Sequence, residues 1–232
     1  MLTRILEPEV MASAQEALDY DAMDHSSVNG AFVADLLAFA PELARTEGAA
    51  LDLGAGTALI AIALAKRTQA LCITARDMSE AMLEQAHRNI AAAGLEARVY
   101  TERADAKHSS PSMYHFVISN SVVHHIAEPV TLLAAALTAT NPGGGLFVRD
   151  LLRPDSPRAL HELIDRHATP AASLFGEALA SAIRQRELFA ASLHAALTLD
   201  EARACAASVG IDAAAVNQTS DRHWTLAHRT AR

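Results

Sequence analysis

The chain has 232 residues, of which 51% are hydrophobic and 20% are charged, and this composition excludes an intrinsically disordered protein. Its formal net charge is −8 at pH 7 and no run of Lys and Arg exceeds two residues, which disfavours a nucleic-acid partner. The two cysteines fit no metal-binding spacing and the apolar runs are shorter than the roughly 18 residues of a membrane span, so we expect a cytoplasmic protein without signal peptide or membrane segment.

Two helices are predicted in the N-terminal region, over residues 7–18 and 28–39, and the second ends before Pro41. Ser26 or Ser27 is a candidate N-cap for the second helix. Because these helices precede the first core strand, we expect residues 1–45 to form an extension that packs against or over the sheet.

The segment from Leu51 to Ala58 combines a short strand, a glycine turn and the start of a helix rich in Ala, Leu and Ile. Gly54 and Gly56 allow the backbone to turn sharply and to approach a ligand closely. A dinucleotide-binding loop would have a third glycine at position 59, where this sequence has leucine. Asp52 would repel a pyrophosphate and suits an ammonium or sulfonium group, so the pattern points away from NAD.

A second acidic residue, Asp77, follows the predicted strand 71–75 and lies 21 residues after Gly56. This is about the spacing at which the second strand of a βαβ unit brings a carboxylate to ribose hydroxyls. Ser79 is the predicted N-cap of the next helix, which Gly94 ends.

Alternating strands and helices continue to residue 150 and predict a doubly wound parallel sheet with helices on both faces. The strands are predicted over residues 50–53, 71–75, 97–102, 115–119 and 145–149, and the helices over 57–67, 79–93 and 128–139. Ligands bind beyond the carboxyl ends of such strands. The residues expected to converge there are Gly54, Asp77, Asp105, Asn120 and Asp150.

These segments resemble the class I S-adenosylmethionine-dependent methyltransferases. Leu51–Ala58 matches the first motif of that family, and Asp77 matches its ribose-binding acid. The segments 103–106, 116–126 and 141–148 match, in the family's order, the adenine-side acid, the fourth strand with its active-site loop, and the Pro-Gly-Gly turn with the fifth strand.

The resemblance implies a mostly parallel seven-stranded sheet that ends in an antiparallel C-terminal hairpin, with S-adenosylmethionine (SAM) as cofactor and S-adenosylhomocysteine as product. Asp52 would orient the methionine part of SAM, Asp77 would accept both ribose hydroxyls and Asp105 would face the adenine. The full set of implied cofactor-binding residues is Tyr20, Met23, Asp52, Gly54, Ala55, Gly56, Asp77, Met78, Asp105, Ala106 and Asn120. For Tyr20 and Met23 the alternative is a core contact, and for Asp24, a further candidate, a helix cap.

Two positions depart from the family pattern. Ala58 stands where a third glycine is common. Arg76 stands just before the ribose acid, where an apolar residue is usual, and it either pairs with an extra carboxylate on an unusual ligand or faces solvent.

Methyl transfer from a sulfonium is an in-line displacement, for which the protein mainly aligns the reacting atoms and excludes water. His124 and His125 follow Asn120 in the predicted active-site loop, and histidine can act as a base near neutral pH. Adjacent histidines point in different directions, so at most one reaches the substrate, and we predict that it is His124. The pair lacks a third ligand at a useful spacing, so no metal site is predicted.

Residues 46–150 form the predicted cofactor-binding core, and residues 151–197 form a helical insertion on the same rim, with helices near 158–167 and 172–194. The insertion is either a lid or a dimer face. Residues 198–232 are predicted to form a helix ended by Gly210 and a hairpin, with Trp224 on the sheet face. Asp221, Arg222 and His223 in its turn either contact substrate or face solvent.

The leading hypothesis is therefore a SAM-dependent methyltransferase that acts on a small molecule, with a homodimer as one option for its assembly. The Asn-Pro-Pro-Tyr type tetrad that grips planar amines is absent, because Ser121, Val122 and Val123 follow Asn120. The alternatives are a SAM-binding enzyme with other chemistry, a tRNA or protein methyltransferase, and a non-catalytic SAM-binding module.

Overall fold

The computed structural model describes residues 2–7, 14–21, 23, 25–108, 114–168 and 175–231. Asp24, half of the predicted helix 7–18 (residues 8–13) and the start of the predicted helix at 172 lie outside these ranges. The strands are β1 Gly48–Leu53, β2 Leu71–Asp77, β3 Val99–Arg103, β4 Tyr114–Asn120, β5 Thr140–Leu151, β6 Val216–Gln218 and β7 His223–Arg229. The α-helices are α1 Ala14–Asp21, α2 Ser26–Phe39, α3 Leu59–Arg67, α4 Glu80–Ala93, α5 Pro129–Ala139, α6 Pro157–His167, α7 Gly176–Ala195 and α8 Leu199–Ser208.

The seven strands form one sheet in the order β3-β2-β1-β4-β5-β7-β6. All pairs from β3 to β5 are parallel, whereas β7 is antiparallel to both β5 and β6. This confirms the predicted fold class, including the C-terminal hairpin. The strand order reverses between β1 and β4, where open α/β sheets bind ligands.

Hydrophobic residues cover both faces of this sheet, as the doubly wound fold requires. On one face Phe32 and Leu36 of α2 pack with Leu64 of α3. On the other face Leu132 of α5 packs with Trp224, whose side chain is buried against the sheet as predicted. The site at the strand ends is therefore held by a core on each side.

The boundaries of several elements follow from their terminal residues. The Ser79 hydroxyl accepts a hydrogen bond from the Met82 N–H, and Gly94 ends α4 in the left-handed conformation, both as predicted. The N-cap of α2 is His25, so the prediction that Ser26 or Ser27 caps it is wrong; both serines lie within the helix. Ala58 has φ 63° and delays the start of α3 to Leu59, so the glycine that it replaces would relieve backbone strain.

The predicted insertion between β5 and α8 consists of α6 and α7, which pack on each other. Leu160 and Leu163 of α6 meet Leu193 of α7 in a small hydrophobic cluster, and Leu2 packs against it. The N-terminal segment and the insertion thus contact each other beside the carboxyl ends of the strands. No helix in the described ranges is long and apolar enough to cross a membrane.

Candidate active site

The glycine turn after β1 has an unusual backbone. Gly54, Gly56 and Ala58 all have positive φ, and the Ala55 N–H donates to the carbonyl of Arg76 at 2.9 Å. An ideal Cβ on Gly54 would lie 2.7 Å from Cγ1 of Val122 and closer still to Cγ2. The turn therefore requires glycine at position 54 for both its conformation and its contact with the loop after β4.

Replacing Gly54 with alanine is expected to destabilise the protein by more than replacing Gly94, because a Cβ at position 54 would clash with the Val122 side chain. Both glycines have left-handed φ, but no atom of the described residues lies within 4 Å of a Cβ on Gly94. Gly94→Ala should cost about 1 kcal/mol of unfolding free energy and Gly54→Ala about 2 kcal/mol or more, measured by urea denaturation. If both variants lose the same unfolding free energy, the clash with Val122 is refuted. It is also refuted if adding Val122→Ala to Gly54→Ala restores none of that free energy.

Asp77, at the end of β2, connects the glycine turn to the start of α4. Its Oδ2 accepts from the Gly56 N–H at 2.8 Å, and its Oδ1 accepts from the Ser79 N–H at 2.8 Å. Burial raises the pKa of Asp77, although the hydrogen bonds from Ser79 and Gly56 lower it. The carboxylate is thus held at the rim by backbone groups and retains lone pairs for a ligand.

A cavity of about 770 Å³, counting the part open to solvent, lies over this turn and the neighbouring strand ends. Its lining residues come from the ends of β1, β2 and β4, the loops that follow β3 and β4, and helices α1 and α4. They are Tyr20, Gly54, Gly56, Asp77, Met78, Ser79, Met82, Asp105, Ala106, Asn120, Ser121, Val122, His125 and Ile126. Most of the predicted cofactor-binding residues are therefore brought together in one place.

Asp52 and Ala55 line a smaller recess of about 320 Å³, which shares Tyr20, Gly54 and Asn120 with the main cavity. Asp52 is only 2% exposed, and within the described part of the chain its Oδ2 has no hydrogen-bond partner. Burial and the nearby charge of Asp77 raise the pKa of Asp52 to about 8. A cation entering the recess would therefore find a buried acidic group that lacks a partner.

Tyr20, which belongs to the N-terminal helix α1, covers the glycine turn. Its ring stacks on His25 with centroids 4.5 Å apart, and a Cβ on Gly56 would lie 3.9 Å from the Tyr20 ring. Burial and the charges of Asp52 and Asp77 help raise the pKa of Tyr20 to about 12, so the phenol is neutral at physiological pH. Met23, the other N-terminal candidate, does not line the cavity.

Asp105 and its neighbour Ala106 also line the cavity. Its Oδ1 accepts from the Lys107 N–H at 2.8 Å, and its Oδ2 lies 3.2 Å from Lys107 Nζ. Although burial opposes ionisation, these contacts with Lys107 lower the pKa of Asp105. The acid is therefore ionised at neutral pH and can accept hydrogen bonds.

Residues 50–144 match the family model described as a methyltransferase domain. This segment is identified as a class I S-adenosylmethionine-dependent methyltransferase domain. Over 110 residues the chain is 28% identical to a ubiquinone biosynthesis O-methyltransferase from Stutzerimonas stutzeri, covering 47% of this chain and 46% of that protein. Over 133 residues it is 32% identical to a trans-aconitate 2-methyltransferase from Streptomyces avermitilis, covering 56% of this chain and 49% of that protein. The matched region thus spans about half the length of these relatives.

Solved structures share the fold over most of the chain. A SAM-dependent methyltransferase from Aquifex aeolicus superposes with a TM-score of 0.65 at 15% identity, covering 94% of this chain and 99% of that one. The methyltransferase SibL superposes with a TM-score of 0.63 at 25% identity, covering 94% of this chain and 59% of the other.

Within this methyltransferase fold, His124 does not occupy the position expected of a base. It is 2% exposed and does not line the cavity, and its Nδ1 lies 2.6 Å from Asp150 Oδ1. Although burial opposes the charged ring, Asp150 and Glu7 raise the pKa of His124 to about 9. The geometry therefore contradicts the expectation that His124 reaches the substrate, and His125 lines the cavity instead.

The reason is the short 3₁₀ turn Val123–His125 that follows β4. The Val123 N–H donates to Asp150 Oδ2 at 2.6 Å while His124 engages Oδ1 of the same carboxylate, so Asp150 pins both residues to the end of β5. The His124 side chain is therefore buried against Asp150, and the His125 side chain faces the cavity.

The N-terminal segment 2–7 also contacts this turn. This contact was not predicted from the sequence. The Arg4 guanidinium donates to the carbonyls of Ile126 at 2.9 Å and Ala195 at 2.7 Å. Glu7 Oε1 lies 3.2 Å from His124 Nε2. No local sequence pattern joins positions so far apart in the chain.

Arg76 neither faces solvent nor points into the cavity. Its side chain is buried and forms an ion pair with Glu102 at 2.8 Å, next to it in the register of β2 and β3, and it donates to the carbonyl of His108. Because its guanidinium is bound to these two groups, Arg76 is not available to pair with an extra carboxylate on the ligand.

The hairpin turn lies at the same rim but outside the main cavity. Asp221 pairs with Arg166 at 2.7 Å and with His167 at 2.8 Å on α6. Burial and the charge of Arg222 contribute to lowering the pKa of His223 to about 4. Asp221 thus ties the turn to the insertion, which neither interpretation of the sequence anticipated.

Proposed function

We propose that the chain binds SAM in this cavity and transfers its methyl group to a small-molecule acceptor. The observation that carries the proposal is the buried carboxyl group of Asp52, whose Oδ2 has no hydrogen-bond partner among the described residues, in a recess that shares walls with the main cavity. An ammonium group is the partner that such a carboxylate lacks.

The residues present fit the whole cofactor. The Asp77 carboxylate at the end of β2 is available to ribose hydroxyls, and Asp105 with Ala106 offers an acceptor and an apolar wall for the adenine. Asn120 lines both the main cavity and the smaller recess, and its buried Oδ1 receives no hydrogen bond from any residue that the structure describes. The bound cofactor would supply a methyl group activated by a sulfonium.

The chain's own contribution to the reaction is positioning and exclusion of water. Tyr20 covers the glycine turn from one side, while Val122 and Ile126 give the wall after β4 an apolar surface. His125 is the histidine of the pair that lines the cavity, and we assign it, in place of His124, to contact with the acceptor.

Three observations favour a small acceptor. The net charge of −8 disfavours a nucleic-acid partner. The N-terminal helix α1 lies over part of the site, with Asp21 bound to Gln85 and Asn89 of α4. Among the curated relatives are proteins named as a ubiquinone biosynthesis O-methyltransferase and a trans-aconitate 2-methyltransferase, so phenols and polycarboxylic acids are the first acceptors to test.

Label from the methyl group of SAM is expected to enter a small molecule when the full chain is incubated with phenols, hydroxy acids and polycarboxylic acids. His125→Asn should lower kcat/KM by about tenfold to a hundredfold, because it replaces the imidazole on the acceptor side with a shorter amide that cannot take up a proton near neutral pH. His161→Asn, an exposed change on α6, is the matched control and should leave the rate unchanged.

Two results would overturn the proposal. One is transfer of label only to the tRNA or protein fraction of a lysate. The other is tight SAM binding without S-adenosylhomocysteine production from any acceptor class.

A further inference from the structure

Three potential metal ligands from distant parts of the chain meet beside the cavity. Glu7 Oε1 lies 3.2 Å from His124 Nε2 and 3.4 Å from His125 Nδ1, and all three ligand atoms lie within 4.8 Å of one another. We propose that Glu7, His124 and His125 form a binding site for a divalent transition-metal ion of the zinc type. The third ligand that the histidine pair lacks in sequence is thus Glu7.

The distances between these atoms suit metal coordination. With metal–ligand bonds of about 2.0–2.2 Å, two ligands of one tetrahedral ion are roughly 3.3 Å apart. Both separations from Glu7 Oε1 are close to that value. An ion could therefore be bound with small adjustments of three side chains.

The contacts among these groups leave Glu7 Oε1 without a well-formed hydrogen bond. The atom is buried, and the two imidazole nitrogens near it lie within ion-pair distance but outside hydrogen-bond geometry; no other described residue gives it a hydrogen bond. A buried carboxylate oxygen without a hydrogen bond is costly, and coordination of a cation would remove that cost.

A second carboxylate orients the central ligand. Asp150 Oδ1 lies 2.6 Å from His124 Nδ1, which leaves Nε2 of the same ring directed at Glu7. Metal-bound histidines almost always donate their other N–H to a carboxylate, a carbonyl or water, which fixes the tautomer. Asp150 supplies that outer contact and also holds the Val123 N–H.

The donor set identifies the class of ion. Two imidazole nitrogens and one carboxylate oxygen suit zinc and its neighbours in the first transition series, whereas calcium and magnesium prefer oxygen ligands. The site is enclosed, because the Glu7 and His124 side chains are 10% and 3% exposed. Since His125 also lines the cofactor cavity, a bound ion would join segment 2–7 to the cavity wall.

After treatment with a chelator, the full untagged chain should take up one Zn²⁺ per molecule in isothermal titration. Co²⁺ at the same site should give the visible absorption of a tetrahedral or five-coordinate ion. Glu7→Gln should weaken Zn²⁺ binding by at least about tenfold, and Asp150→Asn should weaken it by about 10–100-fold through loss of the outer contact.

The controls separate this site from adventitious binding by the other histidines of the chain, which has 11 in all. His161→Asn should titrate like the parent, and Glu7→Gln should keep the parent's affinity for SAM, because Glu7 does not line the cavity. The Zn²⁺ titration of Asp150→Asn is interpreted only if the circular dichroism spectrum and the unfolding curve of this variant match those of the parent.

Failure to take up Zn²⁺, or Glu7→Gln and His161→Asn titrating alike, would overturn the site. The groups would then form a metal-free ion-pair cluster. Because the titration uses no SAM, its outcome is independent of the proposed methyl transfer.

Discussion

Replacing Asp77 with alanine should weaken SAM binding by about 3 kcal/mol, or roughly a hundredfold in Kd. The carboxylate is the proposed acceptor for two ribose hydroxyls, and hydrogen bonds to an ionised group are among the stronger ones. The change also removes the acceptor of the Gly56 N–H, so the glycine turn loses one of its supports. Isothermal titration of the parent and the variant gives the difference directly.

The choice of ligands and controls makes this test specific. Because the ribose is common to all of them, SAM, S-adenosylhomocysteine and methylthioadenosine should lose similar amounts of affinity. Glu80→Gln, which removes an exposed acid three residues away that pairs with Arg103, is the matched control and should bind like the parent. An Asp77→Ala variant that is folded and binds SAM within about threefold of the parent would exclude the ribose role.

The fold and the cofactor side of the site could be predicted because their signals are local. The glycine turn, the N-cap at Ser79 and the acid at the end of β2 each depend on residues that are close in sequence. Parallel strands then bring such ends to one rim irrespective of their separation along the chain. Asp77, Asp105 and Asn120 accordingly line one cavity.

The acceptor side could not be predicted in the same way, because it depends on packing between distant segments. Which histidine faces the cavity is decided by Asp150, whose carboxylate holds Val123 and His124 at once. The ion pair of the Arg76 side chain depends on the register between β2 and β3, which places Glu102 beside Arg76. Neither contact has a signature in the sequence.

The expected effect of Asp52→Asn is to stabilise the free protein, increasingly so at high pH. Burial and the charge of Asp77 raise the pKa of Asp52 from its ordinary value of 3.8 to about 8. Below about pH 4 the carboxyl group is protonated in the folded and unfolded chains alike, so the variant should gain nothing there. Between about pH 4 and 8 the unfolded chain ionises first, so the parent loses stability and the variant does not.

Urea unfolding near pH 5 and pH 8.5 should therefore show an advantage for Asp52→Asn that grows to at least about 1 kcal/mol and then levels off. An advantage of the same size at both pH values would mean that the side chain contributes through packing and not through its charge.

The same substitution should impair the function that the buried acid serves. Because the carboxylate must ionise to pair with the ammonium of SAM, the parent's affinity should rise by up to about tenfold per pH unit from pH 6 towards 8, and it should fall at higher pH as the amino group of SAM loses its proton. Asp52→Asn should bind SAM about 10–100-fold more weakly at pH 8 and show no such rise. Methylthioadenosine, which lacks the amino-acid part, should bind parent and variant equally. Equal loss for both ligands would place the role of Asp52 in the glycine turn and not in the methionine site, since Asp52 lies directly before Leu53 and Gly54.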